Sequence, residues 1–209
     1  MAIDVASLRL CLVTDRGLAG GRSLVEIAAA AARGGATMVQ LREKEATTRA
    51  FLDEARALKA ALAPLGVALA INDRLDVALA VDADGLHVGQ SDMPVAEARR
   101  LMGPGKFIGL SIDAVEQILR PDADAADYLG VGPIYRQQTK ADAAAPLGVE
   151  GLRRARSLTR KPIVAIGGLT PENSAPALAA GADGLAVVSA IVAAADPEAA
   201  ARRFAALFG

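Results

Sequence analysis

Short, continuous apolar runs alternate with longer alanine-rich segments of helical periodicity from one end of the chain to the other. The runs cover residues 8–14, 37–41, 68–71, 85–88, 107–110, 128–131, 163–166 and 184–187, each of a length that suits a strand. Between them, segments such as 23–33, 48–63, 95–102, 151–158 and 171–179 read as helices. Ser23 is placed to cap the first of these, with Glu26 three residues on, and Thr170 is placed to cap ahead of Pro171 at the first helical position. Glycines at Gly34-Gly35, Gly66 and Gly181 mark helix ends. The strands are hydrophobic throughout rather than alternately, which implies cover on both faces and hence a parallel sheet wrapped by helices. Eight such runs with helical crossovers predict a single-domain (β/α)8 barrel spanning residues 1–209.

If these runs are barrel strands, the polar groups that follow them gather at one mouth. They are Gln40-Leu41-Arg42-Glu43-Lys44, Asn72-Asp73-Arg74, Gln90-Ser91-Asp92, Ser111, Thr139-Lys140, Gly167-Gly168 and Ser189. Enzymes of this architecture build their active sites from strand ends. Two separated aspartates suit a hard divalent cation, while Lys, Arg, Ser, Thr and glycine N–H groups suit phosphate oxygens. Gly167-Gly168 ends one run ahead of a helix and Val188-Ser189 follows the next, so the loops after the seventh and eighth strands form a candidate phosphate site. The longest irregular stretch, 133–147, reads as a lid or binding loop.

Composition narrows the partners. The 209 residues are 53% hydrophobic, enough to bury a sizeable core in one domain. Twenty-three basic against 24 acidic residues leave a net charge of −1, and there are four Phe, two Tyr and no Trp, which argues against nucleic acid as a partner. No apolar stretch reaches membrane-spanning length, and Asp4 and Arg9 interrupt the first ten residues where a signal peptide needs apolar sequence, so a cytoplasmic protein is expected. The single cysteine, Cys11, lies in the first strand and reads as a small core residue.

Each polar candidate also has a plainer role available. Arg42-Glu43-Lys44 can be a solvated charge cluster, Asp73 and Asp92 helix caps, Thr139 a turn cap and Lys140 an exposed lysine. His87, the only histidine, reads as a packed, hydrogen-bonded core residue rather than a catalytic base.

Six blocks in order carry a family resemblance: Val13-Thr14-Asp15-Arg16, Gln40-Leu41-Arg42-Glu43-Lys44, Asn72-Asp73, the run from Ala83 to Gln90, the run from Ala126 to Tyr135, and the run from Val164 to Leu169. Together they resemble the thiamine-phosphate synthase family over nearly the whole chain. The resemblance implies a (β/α)8 transferase that joins 4-amino-2-methyl-5-hydroxymethylpyrimidine diphosphate to a thiazole phosphate, releasing diphosphate with Mg²⁺ as cofactor. It further implies that Gln40, Leu41, Arg42, Glu43 and Lys44 line the pyrimidine-diphosphate site with Asn72, Ser111 and Lys140, that Asp73 and Asp92 hold the metal, and that Gln137, Gln138 and Thr139 face the thiazole phosphate with Gly168, Val188 and Ser189. Of these, Arg42, Lys44, Ser111 and Lys140 are the implied catalytic groups. The expected partners are these two small molecules, and a homo-oligomer is compatible with the sequence. Two departures stand out: Gln137 occupies a place where the family usually has a hydroxyl residue, and Ser111 is followed by Ile112-Asp113 rather than Ala-His.

Two other readings compete. A thiazole tautomerase of the same fold would, by resemblance, use a histidine where this chain has Ser111-Ile112-Asp113, while a non-catalytic phosphate-ligand sensor would use the same pocket only to bind. The absence of that histidine, with Asp73, Asp92 and Lys140 all present, counts against the tautomerase, and the sensor ranks last because nothing in the chain supplies an obvious partner domain. Departure of diphosphate from a methylene on an electron-rich aminopyrimidine leaves a resonance-stabilised cation, so the protein has to supply positioning and charge neutralisation but no covalent nucleophile.

Overall fold

A computed structural model describes residues 3–136 and 145–209. Eight parallel strands close into a barrel in sequence order: β1 Leu10–Val13, β2 Met38–Leu41, β3 Ala68–Asn72, β4 Gly85–Val88, β5 Phe107–Ile112, β6 Tyr128–Val131, β7 Ile163–Ile166 and β8 Gly184–Val187, with β8 pairing back onto β1. The helices are α1 Leu24–Arg33, α2 Thr48–Leu62, α3 Leu75–Ala80, α4 Val95–Met102, α5 Pro121–Ala125, α6 Gly148–Leu158, α7 Ala175–Ala179, α8 Ser189–Val192 and α9 Pro197–Ala205. Ser23 caps α1 by accepting the Glu26 N–H, and Thr47 caps α2 by accepting that of Ala50. Among the described residues no helix is long and apolar enough to cross a membrane.

Several expected boundaries move, three of them with a visible cause. Leu8 belongs to a 3-10 turn, Val5–Leu8, capped by Asp4, and β1 starts two residues later. β5 runs on to Ile112, because polar Ser111 faces the barrel axis while remaining in the ladder opposite Gly130. The helix expected over 171–179 starts at Ala175 instead, and Thr170 is not its cap. The Thr170 N–H is taken by Asn173 Oδ1 at 2.7 Å and its carbonyl by Ser174 Oγ at 2.6 Å, which closes residues 170–174 into a turn.

Side-chain alternation sorts the strand residues into two layers. One set, including Leu12, Leu41, Ile71, Leu86, Leu129 and Leu185, packs outward against the helices, and the other, including Cys11, Met38, Ala70, Phe107, Tyr128 and Val164, fills the barrel. Because both layers are buried, the alternation is invisible as hydropathy. Cys11 is among the inward residues, and burial pushes its thiol up to about 12, leaving it a packing group.

At the N-terminal end one fastening occurs four times. Thr37, Asp84, Asp127 and Asp183 stand immediately before β2, β4, β6 and β8. Each donates its own N–H to the carbonyl of a residue in the preceding strand and accepts that residue's N–H on its side-chain oxygen. The partners are Leu10, Leu69, Ile108 and Ile163, and all eight bonds lie between 2.7 and 3.0 Å. Arg99 and Arg156 brace Asp127 and Asp183. Strands are thereby fastened in consecutive pairs at the end of the barrel that reads as stability, leaving the other end for chemistry.

Candidate active site

The C-terminal mouth divides into two halves. Over β2 to β5 it is lined with charge. Gln40, inward on β2, is nearly buried, and Arg42 follows it in the loop. The loop is anchored from β1: buried Thr14 accepts the Arg42 N–H at 2.9 Å, and Asp15 Oδ2 lies 3.6 Å from the Arg42 guanidinium. Glu43 is held in a clamp, with Arg16 at 2.6 Å and the Lys44 N–H at 3.0 Å. Burial opposes its charge, but Arg16 and the backbone N–H groups of Glu45 and Lys44 together hold its carboxyl below the usual range. Leu41 points outward, wholly buried against the helices, so only its backbone is open to a ligand. For these two of the expected substrate contacts, the side chains act on the protein itself.

Lys44 Nζ reaches across to Asp73 Oδ2 at 2.5 Å. Asp73 follows Asn72, the last residue of β3, and takes a left-handed backbone with φ of +63°. Aspartate tolerates that region better than most residues, and such positions concentrate at functional sites. Asp92, in the turn after β4, accepts the Gly89 N–H at 2.7 Å. Its carboxyl is pushed above the usual range first by burial and then by the charge of Asp73, against the pull of the Gly89 N–H and of Lys44. Neither aspartate caps a helix: α3 and α4 begin at Arg74 and Pro94 as N-cap residues without side-chain cap bonds, and the Val95 N–H goes to Asp122. The two carboxylates, delivered by different strands, face each other with one ammonium beside them. Among the described residues no group of three or more acidic, His or Cys side chains forms a metal cage. Ser111 completes this half from β5, its carbonyl accepting from Gln90 Nε2 at 2.7 Å.

Over β6 to β1 the mouth is a cavity of about 710 Å³ lined by Gly167, Gly168, Val188, Ser189, Arg136 and Asp15, among others. Gly167 and Gly168 both have positive φ, and a side chain at Gly168 would come within 2.8 Å of the Arg136 carbonyl. They are therefore required by packing against residues 133–136. Short α8 follows β8 directly, the place where this architecture carries a phosphate-binding helix. Arg136 and Asp15 were not singled out from the sequence as lining residues. Arg136 lies within the 133–147 stretch that reads as a binding loop, and that placement was the available signal. Gln137, Gln138, Thr139 and Lys140 lie outside the described residues.

Residues 10–191 match the family model described as thiamine monophosphate synthase. The chain belongs to that family. It is 55% identical to a thiamine-phosphate synthase of Albidiferax ferrireducens, covering 96% of this chain and 92% of that one, and 55% identical to one of Chloroflexus aurantiacus, covering 97% and 94%. The structure superposes on a thiamine phosphate pyrophosphorylase of Pyrococcus furiosus with a TM-score of 0.89 at 36% identity, over 97% of this chain and 96% of the other. A 3-hexulose-6-phosphate synthase shares the fold alone, with a TM-score of 0.71 at 20% identity. Family membership makes the chain a transferase of thiamine biosynthesis.

Proposed function

We propose that this chain joins 4-amino-2-methyl-5-hydroxymethylpyrimidine diphosphate to a thiazole phosphate, forming thiamine phosphate and releasing diphosphate, in the cytoplasm. The observation that carries the reading is the division of the mouth into a half with two facing carboxylates and cationic side chains, and a glycine-lined cavity beside it. Two substrates that each bear phosphate need two such anion sites side by side.

The donor set fits Mg²⁺. Two oxygen ligands from facing carboxylates, one of them disfavoured as an anion by the other, match an ion that takes one or two protein carboxylates and fills its octahedron with phosphate oxygens and water. Asp73 and Asp92 would hold it, and when bound it supplies charge neutralisation to the diphosphate. Arg42 and Lys44 stabilise the negative charge that grows on the departing diphosphate, with Lys140 joining them. Ser111 donates a hydrogen bond on the same side, and Gln40 and Asn72 fix the aminopyrimidine. The N–H groups around Gly168, Val188 and Ser189, with Gln137, Gln138 and Thr139, hold the thiazole phosphate so that the ring nitrogen faces the methylene. The carbon–oxygen bond to diphosphate breaks, the nitrogen lone pair forms the new carbon–nitrogen bond, and no base is required. Incubating purified protein with both substrates and Mg²⁺, with and without chelator, tests the reading: thiamine phosphate and stoichiometric diphosphate, lost on chelation, are expected, and absence of both products in the presence of Mg²⁺ refutes it.

A further inference from the structure

The barrel interior below Ser111 carries a polar chain that charge neutralisation does not require. Tyr128 Oη lies 2.9 Å from His87 Nδ1, and His87 Nε2 lies 2.9 Å from Ser111 Oγ. Gln40 lines the same interior space as the two rings. Tyr128 is 1% exposed, Gln40 6% and His87 7%, so all three sit where apolar side chains would pack at less cost. Room for the two rings is made by glycine at inward strand positions. A Cβ at Gly109 would fall 2.2 Å from Tyr128 Cζ and 2.5 Å from His87 Nδ1, and one at Gly130 would fall 3.0 Å from His87 Cε1. Glycine weakens a strand interior, and here it marks a site where something must approach closely. A cavity of about 30 Å³ lies against the chain, bounded by Cys11, Gln40, His87 and Tyr128 among others.

The hydrogen-bond inventory gives the chain a direction. Burial keeps the Tyr128 phenol protonated, and its single proton goes to His87 Nδ1, the acceptor 2.9 Å away. A neutral imidazole that accepts at Nδ1 carries its proton on Nε2 and donates it to Ser111 Oγ. The serine oxygen is thereby filled as an acceptor from below, and its own proton is turned out toward the mouth. We infer that Tyr128 and His87 are positioning residues that set the Ser111 hydroxyl as a hydrogen-bond donor to the departing diphosphate. This rests on the proposed synthase function, in which Ser111 faces that leaving group.

Two readouts test it. Because His87 is the only histidine, its ring nitrogens are assigned without ambiguity in a ¹⁵N-histidine-labelled protein, and the Nε2–H tautomer is expected at pH 7. In Tyr128→Phe, which keeps the ring and removes the proton that enforces the tautomer, the tautomers are expected to become mixed. The same variant should lower kcat about tenfold, a loss of about 1.4 kcal/mol of transition-state stabilisation, with KM for both substrates within about twofold of wild type. In a Ser111→Ala background it should lower kcat no further, since there is no hydroxyl left to position. His87→Gln, which can still present an N–H to Ser111, should retain more activity than His87→Leu and serves if Tyr128→Phe does not fold. An Nδ1–H tautomer in the wild-type protein overturns the inference, and so does an equal loss of kcat in the two serine backgrounds. Wild-type protein that forms no thiamine phosphate refutes the function itself and leaves the tautomer to decide the chain of hydrogen bonds separately.

Discussion

Lys44 and Asp73, from the ends of neighbouring strands, meet at 2.5 Å, with the lysine half exposed and the aspartate about one-fifth exposed. A pair so open to solvent contributes little to stability, typically up to about 1 kcal/mol. Its significance is positional. The ammonium stands where it can neutralise a carboxylate before substrate and cation bind and turn to a phosphate oxygen when they arrive.

Lys44→Met is therefore expected to lower turnover by about a hundredfold at saturating Mg²⁺, the effect of losing one transition-state stabilising group, and to leave the melting temperature nearly unchanged. The same variant should bind Mg²⁺ alone more tightly than the wild type, because Asp73 no longer carries a competing cation. Steady-state kinetics and calorimetric titration with Mg²⁺ measure both, and wild-type turnover in Lys44→Met rejects the role.

Asp73→Asn and Asp92→Asn should each raise the Mg²⁺ concentration needed for half-maximal activity, and the double variant should lose less than the product of the single effects, since one metal site cannot be broken twice. Stability should move the other way for Asp92. Its carboxyl is held above the usual range by burial first and by Asp73 next. A raised folded-state value makes the native state bind more protons than the unfolded chain. Stability therefore falls as pH rises from the ordinary aspartate value of about 3.9 through the raised value, and the cost is fully present above it. Asp92→Asn removes that cost and keeps an oxygen for the Gly89 N–H. Without metal its melting temperature at pH 7 should equal or exceed that of the wild type, with the gain vanishing below about pH 3.9. A variant that is less stable at pH 7 and unaltered in Mg²⁺ dependence would restore a structural role.

Thr14→Val tests whether the Arg42 loop is held from beneath. The substitution keeps volume at a fully buried position but removes the oxygen that accepts the Arg42 N–H at 2.9 Å. An unpaired buried N–H costs about 1–3 kcal/mol. Arg42 should lose alignment too, so kcat/KM for the pyrimidine diphosphate should fall while the KM for the thiazole phosphate stays put. Equal losses for both substrates would mean general loosening of the barrel.

Asp127→Ala should be the costly change at the opposite end, because it strips the Ile108 N–H of its 2.7 Å acceptor and leaves Arg99 without its carboxylate. A destabilisation of about 1–3 kcal/mol is expected, seen as a lowered denaturation midpoint with an unchanged slope. Activity per folded molecule should stay normal, since the fastening lies a barrel's height from the mouth. Loss of activity in fully folded protein would contradict the division of labour between the two ends.

The order of elements was determined by sequence alone. Runs such as Gly85–Val88, Tyr128–Val131, Ile163–Ile166 and Gly184–Val187 are strands with the boundaries their hydropathy marks, because a strand buried on both faces is apolar at every residue. The same fact hid everything that depends on facing. Leu41 and Gln40 are neighbours in one apolar block, yet one packs under the helices and the other enters the barrel, and only closure of the sheet decides which. Glu43 read as one of three mouth charges because composition cannot show that Arg16, 27 residues earlier, holds it in a clamp. Ala83-Asp84 and Ala126-Asp127 carried family resemblance, but their aspartates fasten strands at the end away from the chemistry. Pairing of Asp73 with Asp92, and of His87 with Tyr128 and Ser111, likewise arises across strands. Contacts of that kind are set by barrel register, a property of the assembled sheet that no single segment contains.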